Sequence, residues 1–152
     1  VTTQIIARFS TIYPSHNFNM VIPDDLPRLW ADPDRLIQVL TNLVDNAAKY
    51  SPKEGTVTIS ARRADGDGRV EIAVADKGLG IPPEEIPKLF TRFHRNHRPA
   101  TEIIRGTGLG LSIVKSLVEM MSGSVRVESV VNQGSTFYVS IPMAKDGAAE
   151  KA

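Results

Sequence analysis

The stretch ADPDRLIQVLTNLVDNAAKY, residues 31–50, constrains the fold more than any other part of the chain. Asp32 stands where a helix N-cap accepts from the first unpaired N–H groups, and Pro33 suits the first turn, where its missing N–H costs nothing. From there apolar residues recur every three or four positions, which predicts one long amphipathic helix. At about 100° per residue, Leu36, Leu40, Leu43, Ala47 and Tyr50 share one side, with Val39 and Val44 flanking it, so this side should be buried. Asn42, Asn46 and Lys49 form a second, narrower stripe on a different side. Neutral amides are poor helix formers, and Glu or Lys would serve a solvated face better. Two readings stay open for this stripe: a plain solvent face, or a face that offers an amide oxygen to a hard cation and an ammonium to phosphate.

A helix with one apolar side needs a partner layer, and the chain supplies period-2 patterns for it. TVTISARR (56–63) and RVEIAVAD (69–76) alternate like antiparallel strands around the turn residues ADGDG. HNFNMVIP (16–23) alternates Phe18, Met20 and Ile22 as a half-buried strand does, and SVRVESV (124–130) and STFYVSIP (135–142) are two further strands joined by the turn NQG. VTTQIIARFSTIY (1–13) is weakly helical, DDLPRLW (24–30) is a link with one or two strand residues, PPEEIPKLF (82–90) is a short helix, and residues 109–121 are another helix. Strands and helices mix without strict βαβ order, which fits a mixed sheet layered against helices. With 152 residues, 41% hydrophobic and 23% charged, the chain is one globular domain, residues 1–142, followed by a disordered tail, 143–152. A net charge of +1 gives no electrostatic case for nucleic acid or a membrane surface. There is no cysteine, hence no disulfide or thiol chemistry, and no apolar run approaches the roughly 20 residues of a membrane span. The chain opens at Val1 inside a helical pattern without an initiator Met, which reads as a piece of a longer protein.

Two glycine-rich segments carry chemistry. In IIRGTGLGLSIVKSLVEMM (103–121), Gly106, Gly108 and Gly110 precede a helix start. A helix N-terminus presents free N–H groups and a positive dipole end, and glycines allow backbone to approach an anion closely. In VADKGLGIP (74–82), Asp76 ends a strand just before Gly78 and Gly80. That aspartate can cap a turn, or it can accept a hydrogen bond from an exocyclic amine while a flat ring lies against the glycine backbone.

NLVDNAAKYS (42–51), DKGLGIP (76–82), LFTRFHR (89–95) and GTGLGLSIVK (106–115) together resemble the N, G1, F and G2 boxes of the sensor histidine kinase ATP-binding domain. The resemblance runs from about residue 16 to 142, and the superfamily includes gyrase and mismatch-repair ATPases. It implies the Bergerat-type fold: a two-layer α/β sandwich, its mixed, mostly antiparallel sheet covered on one face by helices. It assigns Asn46 to Mg²⁺ and Lys49 to phosphate, with Asn42 beside them. It places Tyr50 near the adenine, Asp76 at the adenine amine, and Gly78, Gly80 and Ile81 in the turn below the base. Arg95 matches a lid arginine that reaches phosphate. Gly106, Thr107, Gly108, Leu109, Gly110 and Leu111 match the loop and helix start that wrap the triphosphate, and Thr136 matches a strand hydroxyl near Asp76. Residues 94–107 are expected to form a lid that nucleotide orders.

Asn42 departs from the superfamily's hydrolases, which carry a glutamate there to activate water, so the resemblance favours phosphotransfer. His94 stands where kinase lids often carry Tyr. The histidines are His16, His94 and His97, and none stands in a helical phospho-acceptor motif. The resemblance therefore implies the catalytic half of a two-component kinase. Its partner is a dimerisation and histidine phosphotransfer domain absent from this chain, with a response regulator receiver acting later. Its ligands are ATP and Mg²⁺, its placement cytoplasmic, and it has neither nucleic acid nor direct membrane contact. A non-catalytic ATP-sensing module and an anti-sigma-factor serine kinase are the alternatives on the same fold.

Overall fold

The computed structural model describes residues 2–23, 26, 29, 31–51, 55–64, 68–90 and 110–143. Among them are three α-helices, α1 (Thr2–Ile12), α2 (Pro33–Tyr50) and α3 (Gly110–Met120). Five strands, β1 (Asn17–Val21), β2 (Thr56–Ala64), β3 (Arg69–Asp76), β4 (Ser124–Val130) and β5 (Gly134–Pro142), form one sheet in the order β1-β2-β3-β5-β4. β1 runs parallel to β2, and every other pairing is antiparallel. The link at 24–30 contributes a single bridge, Leu29 to Met143.

Alternation along the strands assigns each side chain to one of two faces. Val57 and Ile59 of β2, Val70, Ile72 and Val74 of β3, and Phe137, Val139 and Ile141 of β5 turn toward the helices and are buried. α2 lays its apolar stripe on them, with Leu36, Val39, Leu40, Leu43, Val44 and Ala47 buried as the helical wheel requires. Ile5 and Phe9 of α1 and Val114 and Val118 of α3 complete the layer from either side. Each fully buried Leu, Val or Phe contributes about 1.5–3 kcal/mol, so this layer is where the fold's stability resides. Tyr50 departs from the expected core stripe and is only half-buried, because the helix ends there at the rim of the sheet.

The other sheet face carries no helix among the described residues and closes itself with charge. Glu71 meets Arg62 at 2.9 Å and Arg126 at 3.3 Å, and Arg126 also reaches Glu128 at 2.6 Å while lying 3.8 Å above the Tyr138 ring. α2 starts as its sequence dictates, Asp32 Oδ1 accepting the Asp34 N–H at 3.0 Å with Pro33 in the first turn. The expected helix at 82–90 is a single 3-10 turn, Ile86–Lys88, because Pro82, Pro83 and Pro87 supply too few backbone donors for longer pairing. Leu89 and Phe90 behind it pack into the core, Phe90 edge-on to Phe137 at 6.3 Å between ring centres. The expected tail, apart from Met143, lies outside the described residues.

Candidate nucleotide site

The second stripe of α2 is set apart from the first as expected: Asn42, Asn46 and Lys49 are half-buried, whereas Leu43, Val44 and Ala47 between them are sealed in the core. Lys49 is not a free ammonium. Its Nζ lies 3.0 Å from Asp45 Oδ2, one helical turn back, and Asp45 Oδ1 accepts the Tyr13 hydroxyl at 3.1 Å. Sequence reasoning passed over both Asp45 and Tyr13. The i, i+4 spacing of Asp45 and Lys49 was a readable signal, but nothing local points to Tyr13.

At the rim where α2 ends, Asp76 closes β3. Its carboxyl is buried, and Oδ1 accepts the Gly78 N–H at 2.8 Å. Burial pushes this carboxyl above its ordinary value, while hydrogen bonds from the backbone N–H groups of Gly78 and Ser135 pull it back. A buried carboxylate with few donors is costly to keep for structure alone, and it is suited to accept a further donor from a ligand. The turn after it is locked to α2, with the Leu79 N–H reaching the Tyr50 carbonyl at 3.2 Å. Gly78 is required there, since a Cβ would collide with that same carbonyl oxygen. Gly80 turns at φ +70°, and a Cβ there would strike the Val130 carbonyl.

The hairpin between β4 and β5 buttresses this turn from behind. Asn132 N–H donates to the Leu79 carbonyl at 2.7 Å, and Ile81 N–H donates to Ser129 Oγ at 2.7 Å. Ser129 Oγ also lies 2.7 Å from Ser135 Oγ and 3.0 Å from the Gly134 carbonyl oxygen. Here one expectation is corrected. Thr136 is not the hydroxyl beside Asp76: it pairs with Ala75 and lines a groove on the open face with Ser60, Ala73 and Tyr138. Ser135 pairs with Asp76 and is buried on the helix side. Strand residues alternate faces, so Phe137 and Val139 pointing inward already place Ser135, not Thr136, on that side. The period was legible, and the signal was missed.

Gly110 and Leu111 open α3, which packs against α2. Arg95, Gly106, Thr107, Gly108 and Leu109, and the lid expected at 94–107, lie outside the described residues. Among the described residues no three His, Cys, Asp or Glu side chains gather to hold a metal ion. On the half-buried stripe of α2, the Asn46 amide oxygen would be the protein donor. This fits Mg²⁺, which usually keeps waters and takes phosphate oxygens beside one or two protein oxygens.

Residues 31–145 match the family described as histidine kinase-, DNA gyrase B- and HSP90-like ATPase. The chain is 43% identical over 122 residues to the adaptive-response sensory kinase SasA of Synechococcus elongatus, covering 80% of this chain and 31% of that protein. Its fold matches the mycobacterial sensor histidine kinase MprB with a TM-score of 0.80 at 30% identity, over 93% of this chain and 95% of that one. It also matches full-length ShkA in complex with AMPPNP, TM-score 0.80 at 32% identity, over 97% of this chain and 30% of that one. The chain thus spans less than a third of the length of the curated relatives it matches.

Proposed function

Because this chain belongs to the histidine kinase-, DNA gyrase B- and HSP90-like ATPase family and is a histidine kinase ATP-binding catalytic domain, we propose that it hands the terminal phosphoryl group of ATP to a histidine on a separate dimerisation domain. The observation that carries the reading is the buried Asp76 carboxyl beside the Gly78 turn, at the same rim as the polar stripe of α2. Asp76 accepts the adenine amine, and Gly78, Gly80 and Ile81 present backbone to the base. Tyr50 stands beside the base, and Ser135 N–H steadies the carboxyl. The AMPPNP held by ShkA supports an adenine nucleotide as the ligand.

Asn42, Asn46 and Lys49 then face the phosphates. Asn46 holds Mg²⁺, which when bound neutralises phosphate charge as the terminal group departs. Lys49 adds its ammonium, and Arg95 with residues 106–111 supplies the remaining phosphate contacts. The protein forms no covalent bond in this reaction; it positions the phosphates and stabilises their charge. Asn42, where the superfamily's hydrolases carry a glutamate, has no basic oxygen to activate water. The domain works in the cytoplasm, and a response regulator receives the phosphoryl group afterwards.

The test supplies the missing half. The chain is mixed with a purified dimerisation and phosphotransfer domain from a related kinase and ATP labelled in the γ position. Acid-labile, base-stable label on that domain is the expected result. Nucleotide binding without transfer to any such domain would leave the chain an ATP-sensing module.

A further inference from the structure

Lys49 reaches out from a helix, and the structure shows what holds it. Asp45 Oδ2 takes the ammonium at 3.0 Å, and Asp45 Oδ1 is taken by the Tyr13 hydroxyl at 3.1 Å, a side chain 32 residues away just past the end of α1. An ordinary i, i+4 pair on an exposed helix is loose, because both side chains must be ordered to make it. This one has a third member with little freedom. The Tyr13 ring stacks on Phe9 at 6.2 Å and meets His16 edge-on at 5.4 Å, and Phe9 is itself buried against the core. Burial and the neighbouring carboxylate push the phenol up to about 12, so at neutral pH it stays protonated and remains a donor.

We propose that Tyr13 and Asp45 are positioning residues that aim the Lys49 ammonium at the nucleotide phosphates. The proposal rests on the reading that Lys49 meets phosphate. An ammonium has three donors, and one on Asp45 leaves two for phosphate oxygens. A lysine already confined by Asp45 loses less freedom when the ligand arrives, which strengthens binding without a new contact. Tyr13 has a second effect. By fixing one carboxylate oxygen toward α1, it keeps the Asp45 charge from following the lysine toward the phosphates, where it would repel them. Without the hydroxyl the carboxylate turns freely and screens the ammonium from its ligand.

The measurement is a double-mutant cycle on ADP and adenosine affinity by calorimetry, with the variants Tyr13→Phe, Lys49→Ala and both together. Tyr13→Phe keeps the stacked ring and removes only the hydroxyl, and thermal unfolding checks that each variant is folded. The expected result is a loss of ADP affinity of about three- to tenfold in Tyr13→Phe, the size of one hydrogen bond, with adenosine unaffected. In the Lys49→Ala background the same substitution should change ADP affinity by less than about twofold, since there is no ammonium left to aim. If Lys49→Ala leaves ADP affinity intact, the phosphate assignment of Lys49 fails and the positioning role falls with it. If Lys49→Ala weakens ADP and Tyr13→Phe does not, Lys49 keeps its role and the positioning proposal alone is overturned. Equal losses for ADP and adenosine, or equal losses in both backgrounds, would make Tyr13 a purely structural residue.

Discussion

Asp76 sets function against stability in a single side chain. Its carboxyl is raised by burial, so the folded chain keeps the proton to higher pH than the unfolded chain does. Between the ordinary carboxylate value and the raised one, the unfolded state binds fewer protons, and stability falls as pH rises through that window. Asp76→Asn removes the charge but keeps an amide oxygen to accept the Gly78 N–H. The variant should therefore melt at a higher temperature than the parent at pH 7, with a smaller difference at pH 4. Its ADP affinity should fall at the same time, because the new NH₂ group faces a donor on adenine. A lower melting temperature at pH 7 would mean that the ionised carboxyl is a structural turn cap. Gly78→Ala should act in the opposite sense, costing about 1–3 kcal/mol because its Cβ meets the backbone of Tyr50 and not a side chain that can turn away. Chemical denaturation measures that loss directly.

At the scale of elements, α2 serves two layers at once and the β4–β5 hairpin serves the site from behind. The two ends of α2 are separable, being about 27 Å apart by helical rise. Asp32→Ala removes the cap and should cost about 1 kcal/mol of stability while ADP affinity is unchanged, since the site is at the far end. The hairpin behaves otherwise. Ser129→Ala leaves the Ile81 N–H without its partner and loosens the turn proposed to lie under the base, so it should cost about 1–3 kcal/mol and weaken ADP together. Thr136→Ala, one residue beyond Ser135 but on the open face, should leave ADP affinity as it was. Parallel calorimetry and unfolding of the three variants checks the set. A strong effect of Thr136→Ala on nucleotide would put that hydroxyl back at Asp76.

Over the described residues, helices cover one face of the sheet, and Tyr50, Asp76, Gly78 and Gly80 meet at one rim of that covered face. Among the described residues the open face is tied by Glu71, Arg126 and Glu128. On the proposed reading, catalysis depends on a nucleophile from another domain, and ATP alone should persist. We expect phosphate release by the isolated chain to be slow, and Asn42→Glu to raise it by restoring a carboxylate on the α2 stripe. A colorimetric phosphate assay on both proteins decides it. Fast release by the parent chain would show that a base exists elsewhere.

Local periodicity determined what local periodicity can. The long helix with its two stripes, the alternation of β3, β4 and β5, the cap at Asp32 and the position of Asp76 at a strand end were readable from residues in order, because each depends on neighbours a few positions away; the alternation expected at Phe18 and Met20 was not borne out, since Met20 is exposed on β1. The four boxes gave the fold and the family for the same reason, each being a continuous stretch. Tertiary structure decided the partners. Only packing brings Tyr13 to Asp45 across 32 residues, and so reveals that Lys49 is held. Only the approach of α2 to the turn makes Gly78 obligatory, through a carbonyl that no motif mentions. Ser135 and Ser129 meet because two strands pair in one register, and register is a property of the sheet, not of either strand. A side chain's type and face are written along the chain, but which group it touches is fixed by contacts between distant segments.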